Sequence, residues 1–294
     1  TTNSDREGYF EFALTLARPL PITQAWHEVP ITLPDVQLPT QASPVTAVGQ
    51  VMTPTVLSTF GVISDIDDTI VATQATNLLK MARIVFLNNA HTRLPFAGVA
   101  AFYQALHRGR SGGEHNPVFY VSSSPWNLYD LLVDFLAIHE IPAGPLLLQD
   151  YGIDAHKFIT VSHRTHKLAA FQRILHTYPM LPFLLIGDSG QEDPEIYAEV
   201  VKTYPGRIRA IYIRDVSTAA RDAAVQKLIA EANKHQVEML LVPDTLAAAH
   251  HAVQRGFIQA AALPSIGQAQ NKDVTAPDDL ELLVEKKLGG NATP

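Results

Sequence analysis

Three carboxylates fall within four positions in "SDIDDT": Asp65, Asp67 and Asp68, with Thr69 directly after them. Like charges this close repel, and burying any of them without a partner costs free energy. The apolar pair Val62 and Ile63 leads straight into them, so they stand at the end of an expected buried strand. A second strand end of this kind lies downstream. In "FLLIGDSGQEDPEIY" the run 183–186 leads into Gly187 and Asp188, with Asp193 five residues after Asp188. If the two strands are neighbours in a parallel sheet, Asp65 and Asp188 can hold one hard divalent cation. Mg2+ takes oxygen ligands and keeps waters for phosphate oxygens, and its charge relieves the repulsion. Two more pieces fit. "VFYVSSSPW" is an expected strand ending in the hydroxyls of Ser122 and Ser123, and Lys167 lies in "HRTHKLAAF". For one Asp alone, a turn-capping role is the ordinary reading; the ordered set favours chemistry.

Such side chains need a scaffold that brings distant strand ends together. From residue 56 short apolar runs alternate with helical segments. The expected strands are 61–64, 118–121, 146–149, 183–186, 208–213 and 238–242. Between them "WNLYDLLVDFLAIHE", "THKLAAFQRILHTY", "EIYAEVVKTY", "TAARDAAVQKLIAEANKH" and "TLAAAHHAVQR" read as helices, with Ser124 and Asp193 placed to cap two of them and Gly256 to end the last. That alternation predicts an α/β fold with a doubly wound parallel sheet, whose ligands sit beyond the carboxyl ends of its strands. Residues 1–55 read as short strands ("YFEFALTL", "EVPITL") among seven prolines between Pro19 and Pro54, which disfavour helices. This small β segment is expected to pack on a catalytic domain spanning 56–262. The tail, 263–294, is expected to have little order beyond one short helix, "DDLELLVEKKL".

Composition bounds the partners. The chain has 294 residues, is 47% hydrophobic and 17% charged, and carries a net charge of −7. That balance supplies a core and argues against broad nucleic-acid binding, which needs a basic surface. There is no Cys, so disulfide and thiolate chemistry are excluded. No apolar run has the length of a membrane span, and no signal peptide is visible, although the chain opens without Met. The expected location is cytoplasmic, peripheral at membranes.

The four pieces together resemble the haloacid-dehalogenase superfamily of phosphotransferases. The shared features are D-x-D-x-T from Asp65 to Thr69, a strand-end serine (Ser122, with Ser123 as rival), Lys167, and G-D-x(4)-D at Gly187, Asp188 and Asp193. More narrowly, "FGVISDIDDTI", "PFAGVAAFYQAL", "FYVSSSPWNLYDLL", "GPLLLQDYG", "HKLAAFQRIL" and "LIGDSGQEDPEIYAEVVKTYPGRIRAIYIRDV" resemble the actin-patch-type phosphatidate phosphatases, lipin-like in their catalytic motifs, and their bacterial relatives. This second resemblance covers about 59–216. It implies a Mg2+-dependent phosphatase that converts phosphatidate to diacylglycerol through an aspartyl-phosphate. A soluble phosphate ester is the alternative substrate, and a membrane or cytoskeletal scaffold with a vestigial site is the non-enzymatic alternative.

The resemblance also implies roles. Asp65 is the nucleophile and a Mg2+ ligand. Asp67 is the acid and base, its main-chain carbonyl a further ligand. Thr69 hydrogen-bonds and orders the loop, Ser122 contacts the phosphoryl group, and Lys167 neutralises charge. Asp188 is the second metal carboxylate. Asp193 is an outer ligand, the cap of the next helix, or both. Asp68 is expected to be solvated or to cap the loop. Arg214 is left as an ion-pair partner or a phosphate contact, and Asp215 as structural or as a support behind the site residues. The basic stretch 156–167 reads as a solvated loop face, an anion funnel, or, least of all, a zinc site. A small cap is expected within 71–117. Its apolar run 78–86, with Lys80 and Arg83, is either core or a bilayer contact.

Overall fold

A computed structural model describes residues 15–34, 44–71, 96–149 and 162–275, with 2–4, 8, 10 and 11 near the start. Its centre is a six-stranded parallel sheet. The strands are β3 (Gly61–Ser64), β4 (Val118–Pro125), β5 (Leu146–Gln149), β6 (Phe183–Asp188), β7 (Ile208–Arg214) and β8 (Glu238–Val242). Their spatial order is β5-β4-β3-β6-β7-β8. The chain thus runs outward from β3 to β5, then crosses back to lay β6 on the other side of β3. That reversal opens a crevice between the two central strands, where open α/β sheets place ligands. The six expected strands are all present. β4, β6 and β7 run past their expected ends to include Ser122–Ser124, Asp188 and Arg214.

The strands are apolar on both faces because both are covered. Period-two alternation sorts their side chains. Val62, Leu184, Ile186, Ala210 and Tyr212 join one core cluster, and Ile63, Phe183, Leu185, Ile211 and Ile213 join another. The first cluster takes helices α1 (Val99–Arg108), α2 (Tyr129–Ile138), α6 (Thr245–Gln254) and α7 (Leu263–Thr275). The second takes α3 (His163–Thr177), α4 (Asp193–Thr203) and α5 (Ala219–Lys234). Gly256, at φ 70°, ends α6 in the left-handed region as expected.

Several boundaries differ from expectation. The cap was placed within 71–117, yet α1 buries Val99, Phe102, Tyr103 and Leu106 in the core. Residues from 96 on therefore belong to the β3–β4 crossover, and the run 78–86 lies outside the described residues. The tail begins with a helix rather than with little order. α7 buries Ile266, and Asp273 Oδ2 accepts the N–H of Gly98 at 2.8 Å. The "DDLELLVEKKL" helix lies outside the described residues. So does half of "YFEFALTL"; its described members, Phe10, Glu11, Thr15 and Leu16, carry no strand. "EVPITL" does form a strand, within β1 (Trp26–Leu33). β1 pairs antiparallel with β2 (Val45–Met52). This hairpin rests on the second cluster through Met52, whose carbonyl accepts the Tyr178 hydroxyl at 3.3 Å. No helix among the described residues is long and apolar enough to cross a membrane.

Candidate active site

Asp65 follows the last residue of β3, and Asp188 ends β6. The two strands pair in register, Ser64 opposite Ile186, and the Asp65 N–H donates to the Ile186 carbonyl at 2.9 Å. Sheet hydrogen bonds, rather than a loop, therefore set these carboxylates side by side. Gly187 lets α4 close over them. A Cβ there would stand 2.5 Å from Asp193 Oδ2 and 2.7 Å from the Tyr197 hydroxyl, so only glycine fits.

The four charged groups are almost wholly dry: Asp65 and Lys167 are 2% exposed, Asp188 and Asp193 0%. Lys167 comes from the second turn of α3, a helix capped by Ser162, whose hydroxyl accepts the Thr165 N–H at 3.2 Å. Its ammonium donates to Asp65 Oδ1 at 2.8 Å and to Asp193 Oδ1 at 2.5 Å. Burial pulls the Lys167 pKa down, but the carboxylates of Asp193 and Asp65 overcome this and hold it above its ordinary value. Asp188 Oδ1 accepts the N–H groups of Gly190 at 2.7 Å and Gln191 at 3.0 Å. Asp193 Oδ2 accepts the Asp188 N–H at 3.3 Å. Burial, abetted by Asp193, raises the Asp188 carboxyl to about 7. Burial also raises Asp65 well above the carboxylate range, against the pull of Lys167.

Two oxygens are left over. Asp65 Oδ2 and Asp188 Oδ2 are buried with no hydrogen-bond partner among the described residues. Asp65, Asp188 and Asp193 each offer one carboxylate oxygen, all within 4.8 Å of one another. One ammonium against three carboxylates leaves an excess of buried negative charge. The donor set is all oxygen, so it fits a hard cation.

Asp67 is held apart from this cluster. Its Oδ2 accepts the Ser122 hydroxyl at 2.9 Å and the Ser124 hydroxyl at 3.0 Å. Ser122 was expected to face a phosphoryl group, but its hydroxyl points at Asp67 and also accepts the Ser124 N–H at 2.8 Å. Ser124 was expected to cap a helix. Instead it lies in β4, and α2 starts only at Tyr129 with no side-chain cap. A strand-end hydroxyl looks the same in sequence whether it caps or clamps. His166, beside Lys167 on α3, bridges the ends of β4 and β5, with Nε2 3.1 Å from the Ser122 carbonyl and 3.3 Å from that of Leu147.

The remaining expectations fare unevenly. The Thr69 hydroxyl is buried and makes no hydrogen bond among the described residues, although the resemblance implied one; its own N–H does reach the Ile66 carbonyl at 3.4 Å. The loop is ordered instead by main-chain bonds from Ile70 and Val71 to the Ile66 carbonyl, with Asp68 at φ 55°. Asp193 is not the side-chain cap of α4; both its oxygens are taken by Lys167 and Asp188. Arg214, half-buried at the end of β7, makes no ion pair among the described residues. It donates to Thr245 Oγ1 at 3.0 Å and lies over the Phe96 ring at 4.2 Å. Asp215 closes a turn with Ser217. Of the basic stretch, 156–161 lie outside the described residues. Arg164 pairs with Glu199 at the surface, and His166 is half-buried on the two carbonyls.

Residues 60–215 match the family described as Phosphatidate phosphatase APP1, catalytic domain. The chain belongs to this family. Within it, the chain is 35% identical over 163 residues to Phosphatidate phosphatase APP1 of Saccharomyces cerevisiae, covering 55% of this chain and 27% of that protein. It is 28% identical over 157 residues to an uncharacterized protein of Schizosaccharomyces pombe, covering 53% and 25%. The chain therefore spans about a quarter of the length of these relatives. The APP1 match runs from the residue before β3 to the residue after β7. It contains Asp65, Asp67, Thr69, Ser122, Ser124, Lys167, Asp188 and Asp193. It excludes the β1–β2 hairpin and everything from α5 onward.

Proposed function

We propose that this chain is a Mg2+-dependent phosphatase that hydrolyses phosphatidate to diacylglycerol and phosphate through an aspartyl-phosphate on Asp65. One observation carries the reading: among the described residues the Asp65 carboxylate has Lys167 on one oxygen and no partner on the other, beside an equally unpartnered oxygen of Asp188. Asp65 and Asp188 would hold the cation, with Asp193 beside them and the Asp67 main-chain carbonyl as the family resemblance implies. When bound, Mg2+ supplies positive charge that favours the ionised carboxylates and neutralises phosphate oxygens.

The residues divide the work. An Asp65 oxygen attacks phosphorus in line, and the bond from phosphorus to the glycerol oxygen breaks. Asp67 gives its proton to that leaving oxygen. A water then attacks the phosphorus of the aspartyl-phosphate, Asp67 takes a proton from it, and the bond to Asp65 breaks. Lys167 holds Asp65 in place and stays cationic throughout, so it offsets charge as the phosphoryl group arrives. Ser122 and Ser124 fix the Asp67 carboxyl for both transfers. The intact set of Asp65, Asp67, Lys167 and Asp188 weighs against a scaffold with a vestigial site. On this reading the protein is cytoplasmic and meets bilayers peripherally, through the apolar run 78–86 and its Lys80 and Arg83.

The test is phosphate release, with and without Mg2+, from phosphatidate in vesicles, from a short-chain soluble phosphatidate and from a panel of soluble phosphate esters. The reading expects Mg2+-dependent release from both phosphatidates. Release from a soluble ester alone would overturn the lipid assignment and leave the chemistry. Replacing Val85 and Phe86 by Ser should depress only the vesicle reaction.

A further inference from the structure

Arg221 lies outside the family match, on the first turn of α5, and its guanidinium reaches both the loop after Asp188 and the start of α4. Nε donates to the Ser189 carbonyl at 2.9 Å and Nη2 to the Gln191 carbonyl at 2.7 Å. The same guanidinium forks onto Glu195 in the first turn of α4, with Nη1 on Oε1 at 2.5 Å and Nη2 on Oε2 at 2.7 Å. The planar, five-donor fork of Arg suits two carbonyls and a carboxylate at once; a Lys ammonium does not.

The loop has two faces. On its inner face the N–H groups of Gly190 and Gln191 converge on Asp188 Oδ1. On its outer face the carbonyls flanking Gly190 converge on Arg221. Ser189 is pinned further: its N–H reaches the Arg214 carbonyl at 2.9 Å, and its hydroxyl accepts the Val216 N–H at 3.0 Å. Glu195 stands two residues after Asp193, which holds Lys167. One arginine thus ties the Asp188 loop to the helix that carries Asp193.

We propose that Arg221 is a positioning residue for the cation site: by clamping the Ser189 and Gln191 carbonyls and Glu195, it aims the Gly190 and Gln191 amides at Asp188 and leaves Oδ2 free for the metal. The cation in this statement rests on the proposed function; the clamp does not. Outer groups that orient a ligand typically change metal affinity by about 10- to 100-fold when replaced.

Two measurements on Arg221→Lys separate these parts. In metal-free protein, hydrogen exchange at Gly190 and Gln191 should quicken by about tenfold while the rest of β6 and α4 exchange as before. Titration with Mn2+, followed by its paramagnetic signal, should show about tenfold weaker binding, with the melting temperature nearly unchanged. Glu195→Gln keeps both carbonyl contacts, so its effect on each readout should be clearly smaller. Unchanged exchange in the Lys variant overturns the clamp. Faster exchange with wild-type Mn2+ affinity overturns the link from clamp to metal. A Lys variant that fails to fold also overturns it, because then Arg221 builds the fold rather than the site, and equal effects from Glu195→Gln would mean the ion pair alone matters. Wild-type protein that binds no Mn2+, yet shows the exchange effect, would sink the proposed metal and keep the clamp.

Discussion

Lys167 and Asp193 form an ion pair, Nζ to Oδ1 at 2.5 Å, with side chains 3% and 0% exposed. A charge in so dry a place is tolerable only with its partners. Lys167→Met keeps the aliphatic length and strands the carboxylates of Asp65 and Asp193. Removing one partner of a buried pair costs about 3–5 kcal/mol, so the metal-free variant should melt well below wild type at pH 8. Burial holds the Asp65 carboxyl well above its unfolded value, so the folded state binds more protons there and that part of the penalty fades as pH falls. Melts in EDTA at pH 8 and pH 5 check this, and an equal gap at both values would count against it.

Asp188 makes the opposite prediction for stability. Its carboxyl titrates near 7 in the folded chain against an ordinary 3.8. Between those values the folded state binds more protons than the unfolded one, so Asp188 increasingly destabilises metal-free protein as pH rises, and fully so above 7. Asp188→Asn keeps the acceptor for Gly190 and Gln191 and removes the charge. Without metal it should melt higher than wild type at pH 8, by several degrees at about 2–4 °C per kcal/mol. At pH 4 the two should nearly coincide. Added Mg2+ should raise the wild-type melting temperature and leave the variant where it is.

Asp65→Asn tests covalency. It removes the attacking charge at constant volume, so turnover should fall below detection while the fold persists. Beryllium fluoride with Mg2+ mimics an acyl-phosphate and should appear bound to Asp65 in wild-type crystals. An occupied site with Asp65 bare would end the aspartyl-phosphate reading.

Ser124→Ala removes one of the two hydroxyls on Asp67 Oδ2. A bond to a charged group contributes about 1.5–3 kcal/mol, so kcat should drop by roughly ten- to a hundredfold. KM should move little, because Asp67 handles protons rather than binding substrate. Asp68→Ala should be mild by comparison, since Asp68 stands outside the Asp65–Asp188–Asp193 cluster. A larger loss from Asp68→Ala would mean that the roles of Asp67 and Asp68 are exchanged.

The strands and the Asp pair were readable because both follow from one-dimensional rules. Short apolar runs bounded by turns become buried strands, and carboxylates at the ends of such runs point to a crevice. Asp65 and Asp188 needed only the further step of adjacency. What stayed hidden depended on direction rather than on residue type. Ser124 read as a cap because Pro125 follows it, but β4 runs on to Pro125 and turns its hydroxyl toward Asp67. α1 was absorbed into an expected cap because its apolar face is a core face only once β3 and β4 are laid side by side. Arg221 carried no signal at all. Two of its partners are main-chain carbonyls, which have no letter in a sequence, and the third, Glu195, lies 26 residues away.

The Ser122 hydroxyl has a fixed polarity. It accepts the Ser124 amide proton, so its own proton is free to go to Asp67 Oδ2, where the Ser124 proton also goes. An oxygen facing two O–H donors is a poor seat for a third hydrogen. Any proton on Asp67 therefore resides on Oδ1. The carboxyl becomes asymmetric, one end an anchor and the other a delivery arm. Flipping it would sacrifice both anchoring bonds at once. A proton leaving this group and a proton returning to it must use the same oxygen, so departing alcohol and incoming water are served from a single direction in space.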